Sequence, residues 1–280
     1  MSAIPHDAVP GRQLIYRHRV VIRVTHWINV FCIAILLMSG MQIFNAHPAL
    51  YLGQRSQFDS PVLAMRQAPG SDSDPVGVTS LLGHDFRTTG VLGVSSENGE
   101  PTERGFPSWA TIPSYQDLAT GRRWHFFFAW IFVFNGLLYL AYSAITGHLR
   151  ALVPSRDQLR HIGGSVWEHL RLQFPKGEAA RNYNVLQKLA YFGIALVVLP
   201  LLVLAGLTMS PGLDAAFPWL VDLFGGRQTA RTIHFICATL VVLFTLVHVG
   251  MVLVSGVFNN LRSMITGHYA IEPEEKSDAP

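Results

Sequence analysis

Four long runs of apolar residues alternate with polar segments along the chain. The runs cover about residues 20–44, 124–145, 189–209 and 232–258. As a helix, each run is long enough to cross the roughly 30 Å hydrocarbon core of a bilayer. We therefore predict an all-α integral membrane protein, a four-helix bundle in which Pro200 kinks the third span.

The polar segments differ in charge, and this difference predicts the orientation. Residues 147–184 include six basic and three acidic side chains, whereas residues 45–121 include four basic and eight acidic ones. Basic residues near span ends favour the cytoplasmic side. We therefore place the arm 1–19, the loop 147–184 and the tail 259–280 in the cytoplasm. They flank a membrane domain at 20–258 whose long loop 45–121 faces outward.

The outer loop between the first two spans is unusual in length and composition. Residues 45–121 contain nine glycines and seven prolines and are too polar to span a membrane. A structureless connection of this length is usually functional or disordered. We interpret it as the docking segment for another protein.

Composition excludes several other classes of protein. Half of the residues are hydrophobic and 14% are charged, and no concentrated basic face points to nucleic acid. Cys32 and Cys237 both fall in predicted spans, and no Cys-x-x-Cys occurs, which argues against an iron–sulfur cluster, structural zinc or c-type haem. The first nineteen residues lack an apolar core with a cleavage site, so the first span is predicted to direct its own insertion.

Four histidines in the predicted spans form two pairs by depth. His234 and His248 lie fourteen residues apart on one helix, which turns them to within about 40° of each other at depths about 21 Å apart. In the predicted orientation, His125 lies at the outer depth with His234, and His26 at the cytoplasmic depth with His248. Such pairs suit two bis-histidine haems held by different helices, although intramembrane histidines also serve as packing residues or line proton paths.

Two further groups of residues accompany the histidines. Cations two or three residues before a histidine could bind haem propionates or anchor the spans in lipid headgroups; they are Arg23, Arg122, Arg123 and Arg231. Gly40 and Gly206 could let a haem ring approach the backbone, and ordinary helix packing explains them about as well.

Four pieces of sequence carry a family resemblance. They are Arg23-Val-Thr-His-Trp27, Arg122-Arg-Trp-His125, Asn182-Tyr-Asn-Val-Leu-Gln-Lys188, and Arg231-Thr-Ile-His234 with His248. On these residues the chain resembles the di-haem cytochrome b membrane subunits of nickel-iron hydrogenases, formate dehydrogenase and thiosulfate reductase. The resemblance implies two haem b groups whose iron is ligated by the four histidines. It also implies electron transfer between an extracytoplasmic partner and the quinone pool of a bacterial inner membrane.

The resemblance also suggests a quinone site and a type of partner. In the formate dehydrogenase relatives, the Tyr-Asn-x-x-Gln-Lys piece lines a menaquinone pocket, which implies Asn184 and Gln187 as quinone ligands here. A helix cap and a first-turn polar residue are equally good readings of these two, and the glycine that those relatives have near the pocket is Met251. The outer loop looks most like the thiosulfate reductase group, whose partners are often molybdenum-cofactor oxidoreductases.

The main hypothesis is therefore a membrane di-haem subunit that passes electrons between the quinone pool and an oxidoreductase docked on residues 45–121. No catalytic site of its own is evident, so the chain is interpreted as a subunit of an enzyme complex. One alternative is a stand-alone quinone-linked haem oxidoreductase that acts on a small diffusible molecule. A second alternative is a haem-free anchor or transporter whose histidines line a proton path.

Overall fold

Four helices in the structure are long and apolar enough to cross a membrane, as predicted. The computed structural model describes residues 13–70, 74–97, 99–147, 149, 153–160, 162–171 and 185–271. The long helices are span one (Val20–Asn45), span two (Leu118–Ile145), span three (Val185–Leu207) and span four (Arg227–Val254). Large apolar side chains such as Phe134, Leu138 and Leu246 are exposed on their surfaces, where lipid would cover them.

Span two begins six residues before the predicted apolar run. Its first residue is Leu118, and the preceding Asp117 accepts a hydrogen bond from the backbone N–H of Thr120 at 3.0 Å. An aspartate in this position satisfies a donor that the helix start would otherwise leave free. This hydrogen bond is the main cause that lowers the pKa of the Asp117 carboxyl, and the charge of Arg123 adds to the effect.

Span three contains an irregular turn next to its proline. Residues Ile194–Val198 form a π-helical stretch, and Pro200 follows it by two residues. Proline lacks the N–H that an α-helix would direct to the carbonyl four residues earlier, and that carbonyl falls inside this stretch. The sequence predicted a kink at Pro200, and the structure has a π-helical stretch just before this proline.

The fourth span ends earlier than the sequence indicated. We expected it to continue to Phe258, but it stops at Val254, and a separate short helix runs over Val257–Thr266. Gly256 and Gly267 flank this short helix with left-handed φ angles of 106° and 90°. Glycine adopts such angles without steric cost, so the two positions allow the chain to change direction. Shorter helices occupy Arg156–Arg160, Ile162–Leu170, Pro211–Ala216 and Trp219–Leu223.

The fold is not all-α, in contrast to the prediction, because the described residues also contain short strands. They are β1 (Gln13–Tyr16), β2 (Ala49–Leu50), β3 (Leu63–Pro69), β4 (Pro75–Leu81), β5 (His84–Arg87), β6 (Gly93–Glu97), β7 (Glu100–Arg104) and β8 (His268–Ile271). Strand β1 pairs with β8 antiparallel, with Tyr16 opposite His268. The predicted arm and tail therefore contribute to one small sheet.

The predicted loop between spans one and two is a folded β-module. Its antiparallel strands follow the order β2-β3-β4-β5, and β6 and β7 form a hairpin. Buried apolar residues at its base belong to span one and to strands β2 and β3; they are Phe44, Leu50, Leu63 and Met65. Arg104 is 1% exposed, and its guanidinium binds Glu97 at 2.8 Å and the backbone carbonyls of Phe106 and Ser114 at 2.9 and 3.0 Å. We call residues 45–116 the outer module.

The chain divides into two compact units, and each contains one of the predicted histidine pairs. The first unit comprises residues 1–27, 137–197 and 241–280 and includes His26 and His248. The second unit comprises residues 28–136 and 198–240 and includes the outer module, His125 and His234.

Candidate haem-binding site

In the second unit, His125 of span two faces His234 of span four. Their ring centres are 6.2 Å apart and their planes are inclined by 66°. A metal ion midway between two imidazoles forms bonds of about 2.0 Å to each, which requires ring centres roughly 6 Å apart. The observed spacing therefore accommodates one metal with two axial histidines.

The hydrogen bond of His234 determines which of its nitrogens can bind a metal. Its Nδ1 lies 2.8 Å from the backbone carbonyl oxygen of Leu202 in span three. A carbonyl only accepts, so Nδ1 must carry the proton and donate it. The other nitrogen, Nε2, is then unprotonated. Histidines that ligate metals are usually oriented by such a bond from the second nitrogen.

The same arrangement occurs at His125. Its Nδ1 lies 3.1 Å from the Ser39 hydroxyl oxygen, and that hydroxyl lies 2.6 Å from the carbonyl of Ile35. A serine has a single proton, which the shorter contact directs to Ile35, so Ser39 accepts from the Nδ1–H of His125. Nε2 of His125 is therefore also the nitrogen with a free lone pair.

Gly40 and Gly206, predicted to admit a haem ring, lie directly against these histidines. A Cβ atom built on Gly40 would be 3.3 Å from Cε1 of His125, and one built on Gly206 would be 3.1 Å from Cε1 of His234. The ring beside each glycine is thus an imidazole. Side chains larger than hydrogen at these positions would press on the histidines.

In the first unit, His26 of span one faces His248 of span four with nearly the same geometry. The ring centres are 6.3 Å apart and the planes are inclined by 67°. Phe244 stacks on His248 at 5.7 Å, and the ring of Tyr191 meets Phe244 edge-on at 6.5 Å. Trp27 packs edge-on against His26 at 5.5 Å. This second pair also has the spacing that one bis-histidine metal requires.

The four arginines predicted near the haem propionates have different surroundings. Arg231 donates from Nη2 to the carbonyl of His47 at 2.6 Å, and Arg23 donates from Nη1 to the carbonyl of Ile265. Arg122 is exposed, with its guanidinium 5.5 Å from the ring centre of Phe126. Arg123 is also exposed, and its positive charge acts on the Asp117 carboxyl. Two of the four cations thus bind backbone carbonyls at the ends of the spans.

Of the two predicted quinone residues, only one can be located. Asn184 lies outside the described residues, whereas Gln187 is half-buried in the first turn of span three. Tyr191, which the sequence analysis did not single out, follows Gln187 by one helical turn and therefore lies on the same face. The spacing of four residues was the available signal for it.

The outer module contributes contacts to span four that the sequence did not predict. Thr232 donates to the carbonyl of Tyr51 at 2.6 Å, and the N–H of Gly53 donates to the hydroxyl of Thr229 at 2.7 Å. The backbone N–H of Gln228 in turn donates to the carbonyl of Gly53 at 3.0 Å. Residues 47–56 thus bind the first turns of the helix that positions His234. These partners are far apart in sequence, and no motif indicates them.

Four apolar helices with two facing pairs of histidines define a class of protein, the membrane-bound b-type cytochromes. A family model described as prokaryotic cytochrome b561 matches residues 17–267. The chain belongs to this family, whose members bind haem b, and the resemblance predicted from the sequence is confirmed. Both histidine pairs fit such a group, since their ring centres are 6.2 and 6.3 Å apart.

One curated relative is similar along nearly its whole length. It is the putative protein-methionine-sulfoxide reductase subunit YedZ1 of Azospira oryzae, 29% identical over 249 residues that cover 88% of this chain and 94% of the relative. No solved structure matches the chain.

Proposed function

We propose that this protein is the membrane electron-transfer subunit of an oxidoreductase complex and carries electrons between the quinone pool and an extracytoplasmic partner. It holds two haem b groups, one between His125 and His234 and one between His26 and His248. The observation that carries the proposal is the spacing of the two pairs, 6.2 and 6.3 Å between ring centres. Each spacing suits a bis-histidine iron.

The haems supply one-electron chemistry, and the chain supplies their setting. The four spans bring the histidines together and surround them with apolar side chains, which exclude water and keep the imidazoles neutral. Arg231, Arg23, Arg122 and Arg123 provide cations near the span ends, where haem propionates would be neutralised. Arg231 and Arg23 each have guanidinium nitrogens besides the one that binds a carbonyl.

Two observations support the predicted orientation in the inner membrane. The pairing of β1 with β8 brings the two ends of the described chain together, which supports placing both on one side of the bilayer. The basic residues of 147–184 favour the cytoplasm for that side. The outer module is then extracytoplasmic, where it is available to a partner.

The relative suggests what the partner does. YedZ1 carries the name of a subunit of a protein-methionine-sulfoxide reductase. A partner of that class reduces its substrate, so electrons would flow outward, from a quinol through the two haems to the reductase. We propose that this chain serves a reductase of the same kind, docked on the outer module. That the partner contains a molybdenum cofactor remains a prediction from the family resemblance.

The quinone is proposed to bind in the first unit, near the start of span three. Gln187 and Tyr191 share one helix face, and Tyr191 contacts Phe244, which stacks on His248. An amide and a phenol on one face could hydrogen-bond the carbonyls of a quinone ring. Asn184, three residues before Gln187, is proposed as a further quinone ligand because of the family resemblance.

Haem counting in histidine variants tests the proposed function. Reduced-minus-oxidised spectra of purified protein should give two haem b per chain. His234→Ala should lose the haem of the second unit and retain the other, and His26→Ala should do the reverse. His84→Ala, at an exposed position in β5, is the control and should retain both. Loss of both haems in each variant, or of neither, would refute the proposed pairing.

The stand-alone alternative makes a different prediction for the purified chain. If the outer module docks a partner, the chain should co-purify with a reductase and transfer electrons from quinol only in its presence. Reduction of a small sulfoxide by the isolated chain would favour the stand-alone oxidoreductase. Family membership favours both over a haem-free transporter.

A further inference from the structure

Spans one and three carry the same short pattern where they meet the histidines of the second unit. Span one has Leu36-Leu-Met-Ser39-Gly40, and span three has Leu202-Val-Leu-Ala205-Gly206. In each, a glycine follows a small residue and lies four residues after a leucine. We call these two stretches the histidine notches.

Each notch receives one imidazole in the same way. His234 lies against Gly206 and donates from Nδ1 to the carbonyl of Leu202, one turn before that glycine. His125 lies against Gly40, and its Nδ1 donates to the hydroxyl of Ser39, the residue next to that glycine. In both, the imidazole Nδ1 reaches an acceptor within the same notch, and the glycine leaves the room that the ring needs to reach it.

We propose that Gly40 and Gly206 are positioning residues for the axial histidines, and that Ser39 makes the two ligands of this haem unequal. The inference rests on the proposed function, because it assumes that His125 and His234 bind one haem. The glycines let each ring approach closely enough for Nδ1–H to reach its acceptor, Ser39 for His125 and Leu202 for His234, which would leave Nε2 free to bind a metal. Ser39 adds a hydroxyl acceptor at His125, where the other notch has Ala205.

The distances favour glycine at both positions. The added Cβ would lie 3.1 and 3.2 Å from two ring atoms of His234 at Gly206, and 3.3 and 3.6 Å from two ring atoms of His125 at Gly40. The three contacts of 3.1 to 3.3 Å are tighter than ordinary van der Waals contacts, so each ring would have to shift by a few tenths of an ångström, which would strain its Nδ1 hydrogen bond. The approach is closer at Gly206, so substitution there should have the larger effect.

Ser39 acts on the electronic character of its histidine. An acceptor at Nδ1–H makes the imidazole more basic, and a more basic ligand stabilises ferric over ferrous iron. Ser39 is fully buried, and its own proton is directed to Ile35, so its oxygen is committed as an acceptor. Removing the hydroxyl should therefore make the haem of His125 and His234 easier to reduce.

The experiment measures the midpoint potential of each haem and its low-temperature electron paramagnetic resonance spectrum. The variants are Gly206→Ala, Gly40→Ala and Ser39→Ala, and the control is Gly136→Ala, because a Cβ at Gly136 meets nothing within 4 Å. Ser39→Ala should raise the midpoint potential of the haem of His125 and His234 only. A tenfold change in the preference for ferric iron corresponds to about 59 mV. Gly206→Ala should alter the g values of the same haem more than Gly40→Ala does.

The results separate this inference from the proposed function. Two haems in the wild type, with potentials and g values unchanged in all three variants, would overturn the inference alone. A change of equal size in Gly136→Ala would also overturn it, because a general loosening of the helices would then explain the data. Absence of a haem that depends on His125 and His234 would instead remove the proposed function itself. A shift in the potential or g values of this haem alone in the three variants, with the control unchanged, supports the roles proposed for Gly40, Gly206 and Ser39.

Discussion

The hydroxyl of Thr232 donates a hydrogen bond to the backbone carbonyl of Tyr51 at 2.6 Å. The neighbouring Arg231 donates to the carbonyl of His47, also at 2.6 Å. These contacts attach the outer module to span four within three residues of His234. The module is therefore attached directly to the helix that carries a predicted haem ligand, and changes in one are expected to be felt by the other.

Thr232→Val should destabilise this attachment. Both partners are buried, and the carbonyl of Tyr51 would lose a hydrogen bond, which costs about 1–3 kcal/mol. We expect a lower temperature for loss of the haem of the second unit, measured by its absorbance. Thr239→Val is the matched control, because the Thr239 hydroxyl binds a carbonyl of its own helix and the residue is exposed. Equal effects of both changes would contradict the proposed attachment.

His47 should make the attachment sensitive to pH. Burial, and then the nearby Arg231 guanidinium, lower the pKa of His47 from its ordinary value of 6.5. A lowered pKa means that the folded state disfavours the proton, so the attachment is stable above about pH 6.5 and weakens as the pH falls through the lowered pKa. As the pH falls from 7 to roughly 5, the rate of trypsin cleavage at exposed Arg55 should rise relative to the rate for a reference peptide.

The control for this pH effect is His47→Gln. Glutamine does not titrate, so cleavage at Arg55 should then follow the reference peptide across the range. A wild-type protein that is cut at the same relative rate at both ends of the range would contradict the role given to His47.

Arg104→Met should unfold part of the outer module. The guanidinium is fully buried, and its removal takes away the hydrogen bonds that it donates to Glu97 and to the carbonyl of Ser114, at a cost of roughly 3 kcal/mol. The measurements are the unfolding temperature, which should fall, and the affinity for the proposed partner reductase, which should weaken. Arg66→Met removes an exposed ion pair with Asp85 and should cost less than about 1 kcal/mol. A larger loss from Arg66→Met than from Arg104→Met would disprove the assignment.

The sequence was a good guide to the spans and a poor one to the outer module. Runs of about twenty apolar residues predict membrane helices because the bilayer requires that length. At several strand positions the outer module buries small or polar residues: Gly77 and Thr79 are buried in β4, and Ser95 is buried in β6. A Cβ on Gly77 would lie 2.3 Å from the carbonyl oxygen of Leu92, so close backbone contact replaces the alternation that normally reveals a strand.

For the site, helical periodicity placed the histidines on common faces but could not supply their partners. The pairing of His125 with His234 followed from depth alone. The acceptors at Ser39 and Leu202 depend on how neighbouring helices are rotated, which no motif encodes. The quinone residues, the arginines and the four haem ligands remain predictions whose outcome depends on the spectra described above.

A pair of asparagines provides a last test, inside the membrane. Asn135 of span two is 6% exposed and donates from Nδ2 to Oδ1 of Asn29 in span one at 2.7 Å. Side-chain hydrogen bonds between membrane helices contribute about 0.6–2 kcal/mol. Lipid offers no competing partner, which strengthens them, but the separated helices find other polar partners, which keeps the net value small. A double-mutant cycle with Asn29→Ala and Asn135→Ala should therefore give a coupling energy of about 1 kcal/mol in detergent unfolding, with both haems retained. A coupling energy near zero would mean that the two spans are held together by packing alone.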